Sequence, residues 1–343
     1  MATNQDSSFE DPIETTAMFT HHTTGSNIRS SSLYGASLYF QCAVLTVAIV
    51  GATANGLVLY AMILSKEHKK HVLIFNQNAL DLVNCLFVIV QCSVRLRNIE
   101  LDGTLGYWLC MLLISDLCSW SAYVSSMINL ATISIERYLK VIHPVWAKKN
   151  LRNWMEYVTI AFAWICGIVI AAAAVFPTTR VVNGVCFARR FYKNASAQKV
   201  FGVWNFLSFY VIILLIWIFC YGRILMAIRR QAKVMAAHQS GQESNQVQLN
   251  KTQASVVKTM ILVCGLYAVT WAPTYIYSLL KNLYTKLSIG QHGLFAVLSI
   301  GYLYTCINPF IYVTKFDPVK RVLLGLIPCN KNILQDPEIV INT

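Results

Sequence analysis

Residues 109–144 read LCMLLISDLCSWSAYVSSMINLATISIERYLKVIHP. A single acid, Asp116, interrupts an apolar run that continues to Ile135, and directly behind it stand Glu136 and Arg137. Wound as a helix, the stretch from Cys110 to Arg137 covers roughly 40 Å, enough to cross a bilayer's hydrocarbon and its interfaces. Arg137 then sits at a membrane mouth, where a guanidinium is costly without a partner, and Glu136 supplies one that can be exchanged. Taken by themselves, Glu136, Arg137 and the following Tyr138 also fit a snorkelling Arg that ends a helix.

The rest of the chain extends the pattern. Of the 343 residues, 56% are hydrophobic and only 13% charged, where a soluble domain carries roughly a quarter charged. Seven stretches, 36–64, 73–94, 108–135, 155–176, 201–221, 258–280 and 290–313, are long and apolar enough to span. The expected fold is an all-α membrane protein, a seven-transmembrane helix bundle in one domain over 34–315. A polar tail, 1–33, precedes it, and 316–343 follows. In that last segment, KFDPVKRVLLGLIPC (315–329) sets Leu323, Leu324 and Leu326 on one side and Lys320 and Arg321 on another. That pattern suits a short amphipathic eighth helix on the inner leaflet.

Loop charges orient the bundle. With the N-terminus outside, most of the 28 Lys and Arg fall on the inner side, as the positive-inside rule requires. The net charge of +13 is then a cytoplasmic face meeting anionic lipid and acidic partners, and nucleic acid is not expected. The tail shows no basic and then apolar segment of a cleavable signal. Most of the 11 cysteines lie inside spans. Cys110 and Cys186 stand apart on the outer, oxidising side, as a disulfide or as two free thiols.

Polar anomalies recur, one per span: Asn55 in ATANGLVLY, Asp81 in NQNALDLVN, Trp164, Trp271 and Pro273 in TWAPTY, and Asn308, Pro309 and Tyr312 in NPFIY. Each has a bland reading: interhelical glue for Asn55, packing for Trp164, a simple kink for Pro273. In this order they resemble the rhodopsin-like (class A) family of G protein-coupled receptors, over about residues 36–329. The resemblance implies a plasma-membrane receptor, not an enzyme, that passes an extracellular signal to a heterotrimeric G protein. It implies that Glu136 holds Arg137 at rest beside Tyr138, and that Pro144 contacts the G protein. Trp271 and Pro273 would form the sixth-helix switch, Asn308, Pro309 and Tyr312 the seventh-helix motif, and Tyr221 a partner of Tyr312 in the active state. Asp81, Ser126 and Asn308 match positions that hold a sodium ion in the family; no other cofactor is implied.

Departures accompany the match. Gln77 and Asn78 replace the usual Leu-Ala before the acid, Tyr267 the usual Phe, Thr270 the usual Cys, and Ile213 a Pro. Tyr304 stands where a smaller polar residue is common. Cys110 lies two residues further from Arg137 than in the family, which predicts a bulge or extra turn at the top of the third helix.

Counting turns outward from Arg137 places Tyr123, Ser119 and Asp116 on one face, with Asn205, Trp271, Tyr275, Ser278 and Tyr302 expected around the same ligand cavity. Amine receptors of the family place an Asp where this chain has Ser119, so a biogenic amine is the minor alternative. Retinal is excluded, because no Lys lies between Ile289 and Thr314 to form a Schiff base. The outer loop TTRVVNGVCFARRFYKN (178–194) alternates around Asn183-Gly184, a hairpin signal. Its Arg180, Arg189, Arg190 and Lys193, with Arg95 and Arg97, make a basic lid that resembles peptide-binding members, including neuropeptide receptors. Asn194 begins a glycosylation sequon, and Cys329 is a palmitoylation candidate. A transporter or channel, the reading from another class, would show broken spans, repeats or a charged pathway.

Overall fold

The computed structural model describes residues 27–97, 101–188, 192–237, 244–284, 287, 289–315 and 317–325, with side chains from 38 onward except those of 231–237, 244–256, 291, 312–315, 317 and 318. All seven expected spans are helices long and apolar enough to cross a membrane. In chain order these are α1 (Asn27–Leu64), α2 (Val72–Leu96), a third span of α3 (Gly103–Leu109) and α4 (Leu117–Ile142), α6 (Asn153–Val175), a fifth span of α7 (Ala195–Phe206) and α8 (Ile212–Ala237), α9 (Ser244–Leu283) and α10 (Gly290–Lys315). A short helix, α5 (Pro144–Asn150), starts on its proline, which lacks the N–H that a first turn leaves unused anyway.

The extra residues after Cys110 appear as predicted, and the structure gives their form. Cys110–Ile114 is a π-helical turn, closed by Ser115 N–H donating to the Cys110 carbonyl at 2.9 Å. Asp116 follows in the left-handed region, φ 66°. The third span therefore breaks and restarts at Leu117. The fifth span carries a second π turn, Leu207–Val211, although Ile213 stands where the family has a proline. Pro273 and Pro309 lie inside α9 and α10, tolerated in a membrane because neighbouring helices can satisfy the freed carbonyls.

Arg180–Val182 (β1) and Val185–Phe187 (β2) pair antiparallel, Val182 opposite Val185, around Asn183 and Gly184, both with positive φ. This is the two-residue turn that Asn-Gly favours. Cys186 on β2 is disulfide-bonded to Cys110, Cα–Cα 5.5 Å, so the hairpin is tied to the N-terminal end of the third span.

Outward faces such as Ile165, Val169, Leu215, Ile218, Val269 and Phe310 are apolar and exposed, as lipid contact requires. The helices bury their polar side chains against one another. Where α4 meets α6 the approach is close: a Cβ on Gly167 would collide with Ser125 Oγ and stand 2.5 Å from the Ser121 carbonyl. Small residues at such crossings let helix backbones touch. The last described helix, α11 (Asp317–Gly325), buries Val319 and Val322 with part of Leu323 and exposes Lys320 and Arg321. Its seam thus runs through the valines more than through the leucines that the sequence suggested; Leu326 and Cys329 lie outside the described residues.

Gly167→Ala is expected to separate α4 from α6 and cost about 1–3 kcal/mol, the usual range for overpacking. The check is a lower melting temperature of the detergent-purified chain.

Candidate functional site

One layer of the site forms around the break in the third span, at the end of the bundle that carries the hairpin. Arg95, from α2, donates from Nη2 to the Ile114 carbonyl and to Asp116 Oδ1, both at 2.8 Å. It thereby supplies a donor to a carbonyl at the break and a counter-charge to the acid it exposes. Asp116 is therefore part of a fixed ion pair rather than an open ligand carboxylate, and Arg95 belongs to that pair more than to the basic lid. Ser119 donates to Gln91 Oε1 at 3.3 Å. Three buried polar atoms in the half of the bundle that carries the hairpin have no hydrogen-bond partner among the described residues: Gln91 Nε2, Asn205 Oδ1 and Trp271 Nε1.

Below them lies an aromatic cluster. Tyr123 packs on Trp271 with ring centroids 4.2 Å apart and the rings tilted by 37°, and its hydroxyl lies 3.0 Å from that of Tyr267 and 3.2 Å from that of Tyr275. Tyr267 donates to the Phe209 carbonyl at 2.9 Å, inside the π turn of the fifth span. The hydroxyl that distinguishes Tyr267 from the family's Phe thus links the third, fifth and sixth spans. Ser278 is half-buried on α9, where its carbonyl accepts from Asn282. Tyr302 does not join this group. It packs on Val44, Ala48, Val88 and Cys92 of α1 and α2, because its position on α10 turns toward those helices.

At mid-membrane Asp81, Ser126 and Asn308 meet as expected. Asn308 Nδ2 donates to Asp81 Oδ2 at 2.9 Å, and Ser126 Oγ to Oδ1 at 3.1 Å. Gln77 Nε2 joins them, donating to Asp81 Oδ1 at 3.3 Å and closely to Ser126 Oγ. A sodium ion needs several converging oxygen lone pairs. Here two amide N–H₂ groups face the carboxylate, Ser126 Oγ is engaged both as donor and as acceptor, and Asn308 Oδ1 is the one oxygen of this group without a hydrogen-bond partner among the described residues. The donors present do not fit that ion. Asn55 is interhelical glue: its amide donates to the Gly51 and Thr305 carbonyls, joining α1 to α10.

At the inner rim, Glu136 takes a close contact from Lys140 Nζ and a looser one from Arg137 Nε at 3.6 Å. Lys140 also faces Glu156 at 3.7 Å. Arg137 Nη2 lies 3.5 Å from His71 Nδ1, and His71 Nε2 lies 3.5 Å from Glu67. Burial, then the Arg137 charge, pushes the His71 pKa down from 6.5 to about 4, against the opposing pull of Glu67. Tyr221 and Ser134 hydroxyls sit 2.9 Å apart. Tyr138 packs on Phe219 with centroids at 5.5 Å. Pro144 is exposed beside exposed Val145 and Trp146. The side chains of Tyr312, Arg189 and Arg190 lie outside the described residues. Asn194 is exposed and caps α7, its Oδ1 accepting from Ala197 N–H at 2.7 Å.

Residues 54–312 match the family described as 7 transmembrane receptor (rhodopsin family). This chain belongs to that family. It is accordingly a multi-pass membrane receptor and not an enzyme. Melanin-concentrating hormone receptor 1 of Macaca mulatta is 24% identical over 91% of this chain and 87% of its own length, and the Homo sapiens protein of that name matches to the same extent. Lysophosphatidic acid receptor 3 of Rattus norvegicus is 24% identical over 61% of this chain and 56% of its own.

The sequence did not mark Gln77, Asn129, Gln91, His71 and Lys140 as partners of these residues, which the structure shows they are. A polar residue in a span is itself a signal, which covers Gln77, Gln91 and Asn129. The inner-rim partners carry no such mark, because charged residues are ordinary at helix ends.

Two outcomes are expected. Tyr267→Phe leaves the Phe209 carbonyl and the Tyr123 hydroxyl each short of a partner and should cost about 1–3 kcal/mol in thermal unfolding. Between about pH 4 and 6.5 the folded receptor binds fewer protons at His71 than the unfolded chain does. Stability should therefore fall as pH drops through that window, by up to about 3 kcal/mol, and His71→Gln should remove that component.

Proposed function

We propose that this receptor has its N-terminus outside the cell, takes a peptide among the outer helix halves, and opens an inner cleft beside Arg137 to a heterotrimeric G protein. The observation that carries the ligand reading is the trio Gln91 Nε2, Asn205 Oδ1 and Trp271 Nε1, buried on three different spans with no hydrogen-bond partner among the described residues. Two are donors and one an acceptor, which is what amide groups of a peptide can satisfy. The hairpin over 180–187, anchored by its disulfide, adds an outer wall with exposed Arg180 and, beyond it, exposed Lys193. Relatives named for a hormone are in keeping with this reading.

Ligand binding beside Trp271 bears on the ring packed against Tyr123, and α9 can swing about Pro273, where the helix lacks a backbone hydrogen bond. The swing draws the inner end of α9 away and frees Arg137 from Glu136. An agonist shifts this equilibrium only by its differential affinity for the two states. An amine finds no free carboxylate at Ser119, and the nearby acid, Asp116, is already paired with Arg95. A lysophospholipid is the second reading, favoured by the exposed cations Arg97, Arg180, Lys193 and Lys199 on the outer side.

Expression of the chain with a peptide and lysophospholipid library, read by nucleotide exchange on a reconstituted G protein, decides between them. A peptide response is expected, abolished by Arg137→Ala and weakened about tenfold by Arg180→Glu, the loss of about 1.4 kcal/mol. A response confined to lysophospholipids, or one that survives Arg137→Ala, counts against the proposal.

A further inference from the structure

The geometry points to an amide chain, rather than a sodium ion, as the group that holds Asp81: the Trp164 indole orients Asn76, Asn129 and Gln77 in series, and the last of them fills the cation position. The argument begins with the one donor whose direction is not in question. An indole N–H can only donate, and Trp164 Nε1 donates to Asn76 Oδ1 at 3.1 Å. That fixes the Asn76 amide, whose Nδ2 donates to Asn129 Oδ1 at 3.0 Å. Asn129 Nδ2 then faces two acceptors, the Leu73 carbonyl at 3.0 Å and Gln77 Oε1 at 2.9 Å. With its oxygen taken, Gln77 can present only its N–H₂ to Asp81 and Ser126.

Every side chain from Asn76 to Asp81 in this relay is buried: Asn76, Asn129, Gln77, Ser126, Asp81 and Asn308. Five of these polar groups come from α2 and α4, one from α10, and the starting indole from α6, so the chain stitches four spans. A leucine at position 77 would offer no donor and leave the Ser126 oxygen open as a ligand. In this chain the Gln77 amide donates to that oxygen and to the carboxylate together. It therefore performs, as a tethered donor, the neutralising work that a mobile cation would do, and the resting bundle does not depend on sodium concentration.

The test uses the full chain purified in detergent, with thermal unfolding measured in equal concentrations of sodium chloride and choline chloride. This readout is independent of any ligand or G protein, so its failure is separate from failure of the signalling proposal. The wild-type melting temperature is expected to be the same in the two salts. Gln77→Leu is expected to gain a sodium-specific rise of several degrees, as linkage to a bound ion requires. A sodium-specific rise in the wild type overturns the inference, as does a Gln77→Leu protein that folds and stays indifferent to sodium. Should that variant not fold, the wild-type comparison still decides, and a second measurement tests the relay. Trp164→Phe and Asn76→Leu should each lower the melting temperature, and the double variant should lose less than their sum. Strictly additive losses would show that the indole and the amides are not coupled.

Discussion

A polar group inside a bilayer has no water to turn to, and the architecture of this bundle follows from meeting that demand within the protein. Asp81 sets the terms. Its carboxylate draws Asn308 from α10, Ser126 from α4 and Gln77 from its own helix. Behind Gln77 the amides of Asn129 and Asn76 run back to the Trp164 indole on α6. Asn55 joins α1 to α10 by the same logic. Lipid tails are as apolar as leucine, so hydrophobicity does not hold helix to helix here; close packing at Gly167 and these hydrogen bonds do.

Layers above and below inherit this frame. The Tyr123, Tyr267 and Tyr275 hydroxyls satisfy one another over the polar core, and Tyr267 reaches the carbonyl that the fifth-span π turn presents. The same cluster carries Trp271, two residues before Pro273 in α9. At the inner rim the charges are shared more loosely. Glu136 is in closer contact with Lys140 than with Arg137, and Arg137 leans on a His71 kept neutral by its surroundings. The Arg137 guanidinium thus stands between a carboxylate oxygen at 3.6 Å and an imidazole nitrogen at 3.5 Å.

Much of this was legible beforehand because membranes impose simple rules. Span number and the ERY, TWAP and NPFIY stretches followed from length, apolarity and motif order. The hairpin followed from Asn-Gly, and the two extra residues below Cys110 announced a bulge. What escaped were partners. Asp116 looked like a ligand carboxylate because a sequence shows an acid in a span but not the Arg95 that reaches it from another helix. Turn counting groups Tyr302 with the aromatic cluster because it assumes a common axis, whereas α10 packs that side chain against α1 and α2.

The sequence by itself determined the seven spans and their family, since hydropathy and local turn chemistry act over short stretches of chain. Only the tertiary structure decided which polar groups satisfy which: that Arg95 closes the break at Asp116, that Gln77 points its N–H₂ at Asp81, and that Tyr267 spans three helices. The reason is physical. A hydrogen bond between helices depends on the rotation and depth of each, quantities fixed by the packing of all of them together.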